Sequence, residues 1–207
     1  MSMGWCAMGP DHLMQAAMGW QRLLDKKLRL VYGKSGRLRE VLLTFSREDF
    51  FHLAGFHYLK DVSLPKAFSR KNTLRVCLNG TIAEAHMQKS SNYTAIIAPR
   101  LKALCALEEM FMGDFVTYLF LRDKLPFYTN IDAAYLIEGT AVALFLFVDQ
   151  GNADTYFCRS IFMKDRRSYA ANQTPIALLK KEWITEDGTQ VLLDRLDHRG
   201  ECKSKSR

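Results

Sequence analysis

Val142-Ala143-Leu144-Phe145-Leu146-Phe147-Val148 is apolar at every position and lies between the turn formers Gly139-Thr140 and Gly151. An extended chain sends successive side chains to opposite faces, so a strand with no polar face must be covered on both sides. This run is therefore expected at the centre of a sheet. It is far too short to cross a bilayer, which takes roughly 20 apolar residues as a helix.

Outward from it, β-branched and aromatic runs at 115–121, 134–137, 156–163 and 176–184 alternate with turn residues and predict further strands of an antiparallel sheet. The last mixes Lys180, Lys181 and Glu182 with leucines and is expected to be more exposed. Before Gly113 the texture is helical. Leu13, Ala17, Trp20, Leu24 and Leu28 recur every three or four residues and predict an amphipathic helix over 11–28. Gly33-Lys34-Ser35-Gly36 separates two short extended pieces or joins them as a hairpin. Ser46-Arg47-Glu48-Asp49 supplies a capping-box-like start for a helix over 47–60. Asn79-Gly80-Thr81 opens another helical stretch, and Pro99 begins or kinks a third over 100–112. Helices first and strands afterwards give an α+β fold rather than a parallel α/β one.

The chain has 207 residues, enough for one functional unit. Its 29 Lys and Arg against 22 Asp and Glu give a net charge of +7, which raises the local concentration of polyanions. Cys6, Cys77, Cys105, Cys158 and Cys202 are odd in number and never form a C-x-x-C pair, so neither a disulfide framework nor a zinc knuckle is expected. The first residues carry no basic segment followed by an apolar core, and a reducing, cytoplasmic setting without a membrane is expected. Gly33-Lys34-Ser35 is not a phosphate-binding loop, because Leu28 stands where that loop needs glycine. The spacings of dinucleotide enzymes, zinc proteases and common serine hydrolases are missing.

Three stretches carry chemistry. In the aromatic helix at 50–61, His52 has Glu48 and Asp49 one turn before it, and either carboxylate could orient the imidazole and favour its cationic form. Gly55 leaves room for an approach to the backbone. A histidine and a glycine that merely serve helix packing are the alternative, and His57, on the face of Phe50 and Leu53, reads as structural. The second stretch is Cys158-Arg159-Ser160-Ile161-Phe162 with the loop 164–174. In a strand Arg159 and Ser160 face opposite sides. Arg166 and Arg167 offer guanidinium groups to phosphate, Tyr169 a ring for stacking or a hydroxyl for proton transfer, and Gln173 an amide for base edges. An ordinary solvated hairpin loop is the competing reading. The third stretch, Lys89, Ser90, Ser91, Asn92 and Tyr93 followed by Arg100, could add phosphate contacts or simply cap a helix.

At these residues the sequence resembles the phage-associated branch of the barnase, EndoU, colicin and RelE-like nucleases. Phe45, Phe50, His52, Leu53 and Gly55 carry an F-x-x-x-x-F-x-H-L-x-G pattern. Ser90 and Tyr93 carry S-x-x-Y, and Arg100, the strands at 135–137 and 160–162 and the loop 169–173 match further on. The resemblance runs from about 45 to 183. It implies a helical N-terminal half followed by a curved antiparallel sheet, on which RNA is bound and cut without metal or cofactor. It also suggests an extension at 1–44, a nuclease domain at 45–190 and a basic tail at 191–207.

The expected activity is that of a toxin-type endoribonuclease of a phage or mobile element, using 2′-hydroxyl attack. His52 would be the acid or base, Arg159 or Arg100 the phosphate clamp, and Ser160 and Tyr169 positioning or proton-handling groups. Ser90, Tyr93, Arg100, Arg166, Arg167 and Gln173 would bind substrate. RNA is the expected partner, with an antitoxin or immunity protein besides. The alternative is a mobile-element regulator that binds nucleic acid without cutting it.

Overall fold

The computed structural model describes residues 11–65, 68–151 and 155–196; of the expected tail at 191–207, the part from 197 onward lies outside them. Helix α1 (His12–Leu23) begins where the Asp11 carboxylate accepts the N–H of Met14 at 3.0 Å, satisfying one of the free donors of a helix start. It stops short of the expected residue 28, because Leu28 belongs to β1 (Lys27–Lys34). A tight turn leads to β2 (Arg37–Thr44), with Ser35 and Gly36 at φ 49° and 76°, the left-handed pair that matches strand twist in two-residue hairpins.

Five further helices follow: α2 (Asp49–Leu53), α3 (Thr73–Leu78), α4 (Glu84–Met87), α5 (Ala98–Cys105) and α6 (Leu107–Met112). The helix expected over 100–112 divides at Ala106, and Pro99 sits in the first turn of α5, where its missing N–H costs nothing. A π-helical turn at Tyr93–Ile97 feeds into α5. Then come β3 (Phe115–Leu119), β4 (Tyr135–Gly139), β5 (Leu144–Gln150), β6 (Thr155–Met163), β7 (Thr174–Thr185) and β8 (Gly188–Asp194), the last falling partly in the segment read from sequence as tail.

The strands run in the order β1-β2-β6-β5-β4-β3-β7, and β1 pairs again with β7, so seven strands close a ring while β8 hairpins onto β7. The fold is α+β, but the expected curved sheet is a closed barrel. The cause is the hairpin β1-β2, which joins β7 through β1 and β6 through the short parallel pairing Leu42↔Thr155 and Leu43↔Tyr156. Closure removes the free edges that an open sheet must protect. The strand at 176–184 is more exposed than β5, as expected, yet closure covers its charged stretch. Bonded to β1, β3 and β8, β7 buries Lys181 and Glu182 to 3% exposure each. Lys181 Nζ donates to the Gly113 carbonyl at 2.6 Å, and Glu182 pairs with Arg29 at 2.8 Å and Lys180 at 2.9 Å, so neither charge is left unpartnered.

As its pattern requires, β5 lies between β4 and β6 and is covered on both faces. Leu144, Leu146 and Val148 join the main core with the helices, while Phe145 and Phe147 join a second cluster of Phe120, Leu136 and Tyr169. Helix α1 packs on α3 and α5, and α2 and α5 pack on β6. The seam of α2 and α5 with β6 holds the site.

Candidate active site

Ser46 and Asp49 form the expected capping pair: Ser46 Oγ accepts the Asp49 N–H at 3.3 Å and Asp49 Oδ2 accepts the Ser46 N–H at 3.2 Å. The helix they start does not reach residue 60. Gly55 takes φ +83°, a left-handed conformation that ends α2, and the chain re-enters as a single 3-10 turn at Phe56–Tyr58. In an unbroken helix residues five apart diverge around the axis; the break instead brings the rings of His52 and His57 to 5.2 Å between centroids. A Cβ at Gly55 would meet Arg100 Cδ at 3.3 Å and Ile97 Cγ1 at 3.4 Å, so the glycine also lets α5 come close.

A second irregularity lies opposite. Phe147 pairs with Ser160 but Val148 with Cys158, leaving Arg159 as the extra residue of a β-bulge. Strict alternation would part Arg159 from Ser160. A bulge breaks it and turns two consecutive side chains toward one side, so the expectation that they face apart is corrected. Both line one cleft, together with Asp49, His52, His57, Tyr58, Arg70, Arg100, Phe157 and the loop residues Asn130, Ile131 and Asp132. Its volume is about 560 Å3, within the usual range of ligand sites.

Three guanidinium groups, Arg70, Arg100 and Arg159, line the cleft with two carboxylates, Asp49 and Asp132. The Arg100 guanidinium lies 5.4 Å over the Tyr58 ring and 6.0 Å over Phe162, and donates to Ser160 Oγ and the Ile161 carbonyl, both at 3.4 Å. Burial pulls its proton affinity down, but an arginine stays charged. Neither Glu48 nor Asp49 bonds the His52 ring. Desolvation first and Arg70 second hold His52 below its ordinary range, and Asp49 opposes them only in part, so the expected cationic bias is reversed. Burial and the neighbouring His52 push His57 down to about 4, and its Nδ1 has no hydrogen-bond partner. Both imidazoles are thus neutral at pH 7 in the free cleft. Among the described residues no three His, Cys, Asp or Glu side chains converge as a metal site.

Of the residues singled out in the sequence, His52, Arg100, Arg159 and Ser160 meet in this cleft. Asp49 and His57, read there as an orienting carboxylate and a structural ring, line it as well; the other residues given a catalytic or binding role do not. Tyr169 is 3% exposed, edge-on to Phe127, Phe145 and Phe147 in the second cluster. Gln173 clamps the chain after β3: its Oε1 accepts the Leu121 N–H at 2.7 Å and its Nε2 donates to the Leu121 carbonyl at 3.1 Å. Arg167 pairs with Asp165 at 2.7 Å and sits 5.6 Å over Tyr169, while Arg166 is exposed. The loop 164–174 is no hairpin loop, since β6 and β7 are separated in the ring by β5, β4 and β3. Ser90 donates to Asp61 at 2.6 Å, and Tyr93 donates to Glu84. This knot supports the site indirectly, because Asn92 Nδ2 donates to the Tyr58 carbonyl at 3.0 Å.

Tyr58, Arg70 and the loop 130–132 escaped the sequence reading, and His57 was read as structural. Gly55 was the available signal for His57, since a glycine inside an aromatic helix is also where a helix can end.

A barrel seamed with short helices, with imidazoles and guanidinium groups on one open cleft, defines a small α+β protein with a polar, arginine-lined cleft at the seam. The family model for phage-Barnase-EndoU-ColicinE5/D-RelE like nuclease4 matches residues 12–191, and the chain belongs to that family. The family is one of nucleases, whose substrate is nucleic acid. The match begins inside the segment read as an extension, in keeping with the place of β1 and β2 in the ring. Neither a curated protein nor a solved structure matches the chain. Among the described residues no helix is long and apolar enough to cross a membrane.

Proposed function

We propose that the protein is a metal-independent endoribonuclease, of the toxin type carried by phages and mobile elements and acting in the cytoplasm. The observation that carries this reading is the convergence of His52, His57, Arg70, Arg100, Arg159 and Ser160 on one open cleft. Transesterification by a ribose 2′-hydroxyl needs a base for that hydroxyl, an acid for the departing 5′-oxygen, and positive charge at the non-bridging oxygens. His52, neutral in the free cleft, takes the 2′-hydroxyl proton. His57 is the second proton-handling group, its proton affinity rising when a phosphodiester anion enters beside it. Arg159 and Arg100 clamp the phosphate, and Ser160 fixes the Arg100 head. Tyr169 and Gln173 act from behind, holding the aromatic floor and the 120–133 loop.

The test is incubation of RNA with the protein in chelator, analysing the ends. Products ending in 2′,3′-cyclic phosphate, and their loss in His52→Ala with RNA binding retained, are expected. Full activity of His52→Ala removes His52 from the chemistry, and dependence on added magnesium removes metal independence. Salt-sensitive binding with RNA left intact points instead to a regulator that binds without cutting. Growth arrest on induction of the native gene, relieved by His52→Ala, tests the toxin reading and the need for an antitoxin or immunity partner.

A further inference from the structure

The loop between β3 and β4 has a shape that cleavage chemistry alone does not require. Its side chains alternate: Phe127, Thr129 and Ile131 turn inward, Phe127 edge-on to Tyr169 at 5.0 Å and Ile131 against the second cluster, while Tyr128, Asn130 and Asp132 are exposed. Tyr128 is 85% exposed, the most open large hydrophobic residue among those described. It is nonetheless held in place, because its hydroxyl donates to Asn130 Oδ1. The loop is pinned at its base by the Gln173 clamp on Leu121 and by Asn172 Nδ2, which donates to the Lys124 carbonyl at 3.2 Å. Asn130, Ile131 and Asp132 line the cleft that also holds Arg70, Arg100 and Arg159.

An aromatic ring exposed on an anchored loop loses little conformational freedom when a flat partner stacks on it. Every nucleobase offers such a face, whereas a duplex keeps its bases stacked internally. Asp132 sharpens the choice. Among the described residues it has no ion-pair partner, and a carboxylate at the rim repels phosphate, so it favours a donor edge. A carboxylate only accepts hydrogen bonds, and guanine alone presents two adjacent donors, N1–H and N2–H2, on its Watson–Crick edge. Asn130 Oδ1 is taken by Tyr128, which leaves the Asn130 amide N–H2 to donate to the guanine O6.

We propose that Tyr128, Asn130 and Asp132 form a base-reading comb for unpaired guanosine, beside the phosphate clamp. Tyr128 stacks the base, Asp132 accepts from N1 and N2, and Asn130 donates to O6. The proposal rests on the cleft binding RNA, and its test is separable from that of cleavage.

The probe is a fluorescent oligouridylate carrying one central guanosine, with 2′-O-methyl riboses throughout so that it cannot be cut. Matched probes carry inosine, adenosine or uridine at that place, and a fifth hides the guanosine in a duplex. Anisotropy titration at fixed salt is expected to rank the single-stranded guanosine probe tightest, inosine weaker for want of N2, and the duplex weakest. Tyr128→Ala is expected to weaken the guanosine probe by about tenfold to a hundredfold, with Tyr128→Phe, which keeps the ring but loses its bond to Asn130, between the two. Asp132→Asn is expected to level guanosine with inosine. All three positions are exposed, and circular dichroism checks that the fold is kept. Native protein that binds every probe equally, or Tyr128→Ala that binds guanosine as tightly as native, overturns the comb and leaves the nuclease reading standing. Ranked binding by a protein that cuts no unmodified RNA keeps the comb and removes the cleavage. Failure to bind any probe overturns both.

Discussion

Two stretches look alike on paper, the histidine segment at 50–61 and the basic loop at 164–174: each combines aromatic, charged and hydrogen-bonding residues. The fold treats them in opposite ways. The first ends at a left-handed glycine and turns His52 and His57 into an open cleft. The second packs over the aromatic cluster of β4 and β5, where Tyr169 and Gln173 become packing and clamp. Residue types with catalytic capacity are presented where the backbone departs from regular geometry beside a seam. Where a loop must cover apolar sheet, the same types serve structure.

The largest effect that can break this contrast is at Tyr169. Removing a buried ring that contacts four other aromatics, as in Tyr169→Ala, is expected to cost about 3–5 kcal/mol, read as a lowered midpoint in urea. Tyr169→Phe keeps the ring and is expected to retain cleavage within a few-fold. A folded Tyr169→Phe protein that has lost turnover by orders of magnitude makes the hydroxyl catalytic and erases the distinction between the two stretches.

Next comes Arg159, presented by the bulge. Arg159→Ala is expected to lower kcat/KM by about 100-fold or more, in line with loss of a preorganised charge at the transferring phosphate. The side chain is exposed, so stability should change by no more than about 0.5 kcal/mol. Arg167→Ala, which breaks an ion pair and a cation–π contact on a loop that does not line the cleft, is the control and should leave kcat/KM near native. Equal losses in the two variants, measured side by side, argue that the basic loop also meets substrate.

Gly55 joins the two halves of the argument. Gly55→Ala forces a Cβ into left-handed backbone and against Arg100, at an expected cost of about 1–2 kcal/mol. If the glycine positions Arg100, the variant also raises KM for RNA. Lost stability with native KM confines Gly55 to ending the helix.

How far the sequence foretold this follows from which rules are local. The two-faced run at 142–148 announced β5, and the capping pair at 46–49 announced α2, because periodicity and caps depend on neighbours in the chain. Closure of the barrel was hidden. It depends on β1 finding β7 across some 150 residues, a pairing that no local pattern encodes. The burial of Lys181 and Glu182 within the otherwise more exposed β7 was hidden for the same reason: their partners Gly113 and Arg29 are brought up by the ring. At the site, His52, Arg100 and Arg159 were legible as chemistry, but the meeting of Arg159 with Ser160 was not. A bulge belongs to the register of two strands, and one strand's sequence does not announce it.

The smallest expected effect concerns pH, and it separates the two histidines of the cleft from the structural one that His57 first appeared to be. Desolvation and nearby cations hold both rings below the ordinary 6.5, so each is neutral in the folded protein where the unfolded chain would already take up a proton. For His57 the window runs from 6.5 down to about 4. Across it the unfolded state binds more protons, and stability must fall as pH falls, having been complete above 6.5. The ring is half-buried, and after solvent screening the loss is expected to be about 1 kcal/mol or less, a shift of a few degrees in Tm between pH 7 and pH 4.5. His57→Gln should flatten that slope. Activity should follow the same sign on the acid side: with His52 acting as a neutral base, the acid limb of kcat/KM lies below pH 6.5. An acid limb at or above 6.5 means that the free cleft does not depress His52, and with it goes the inference that Arg70 and burial set the chemistry on this side of the molecule.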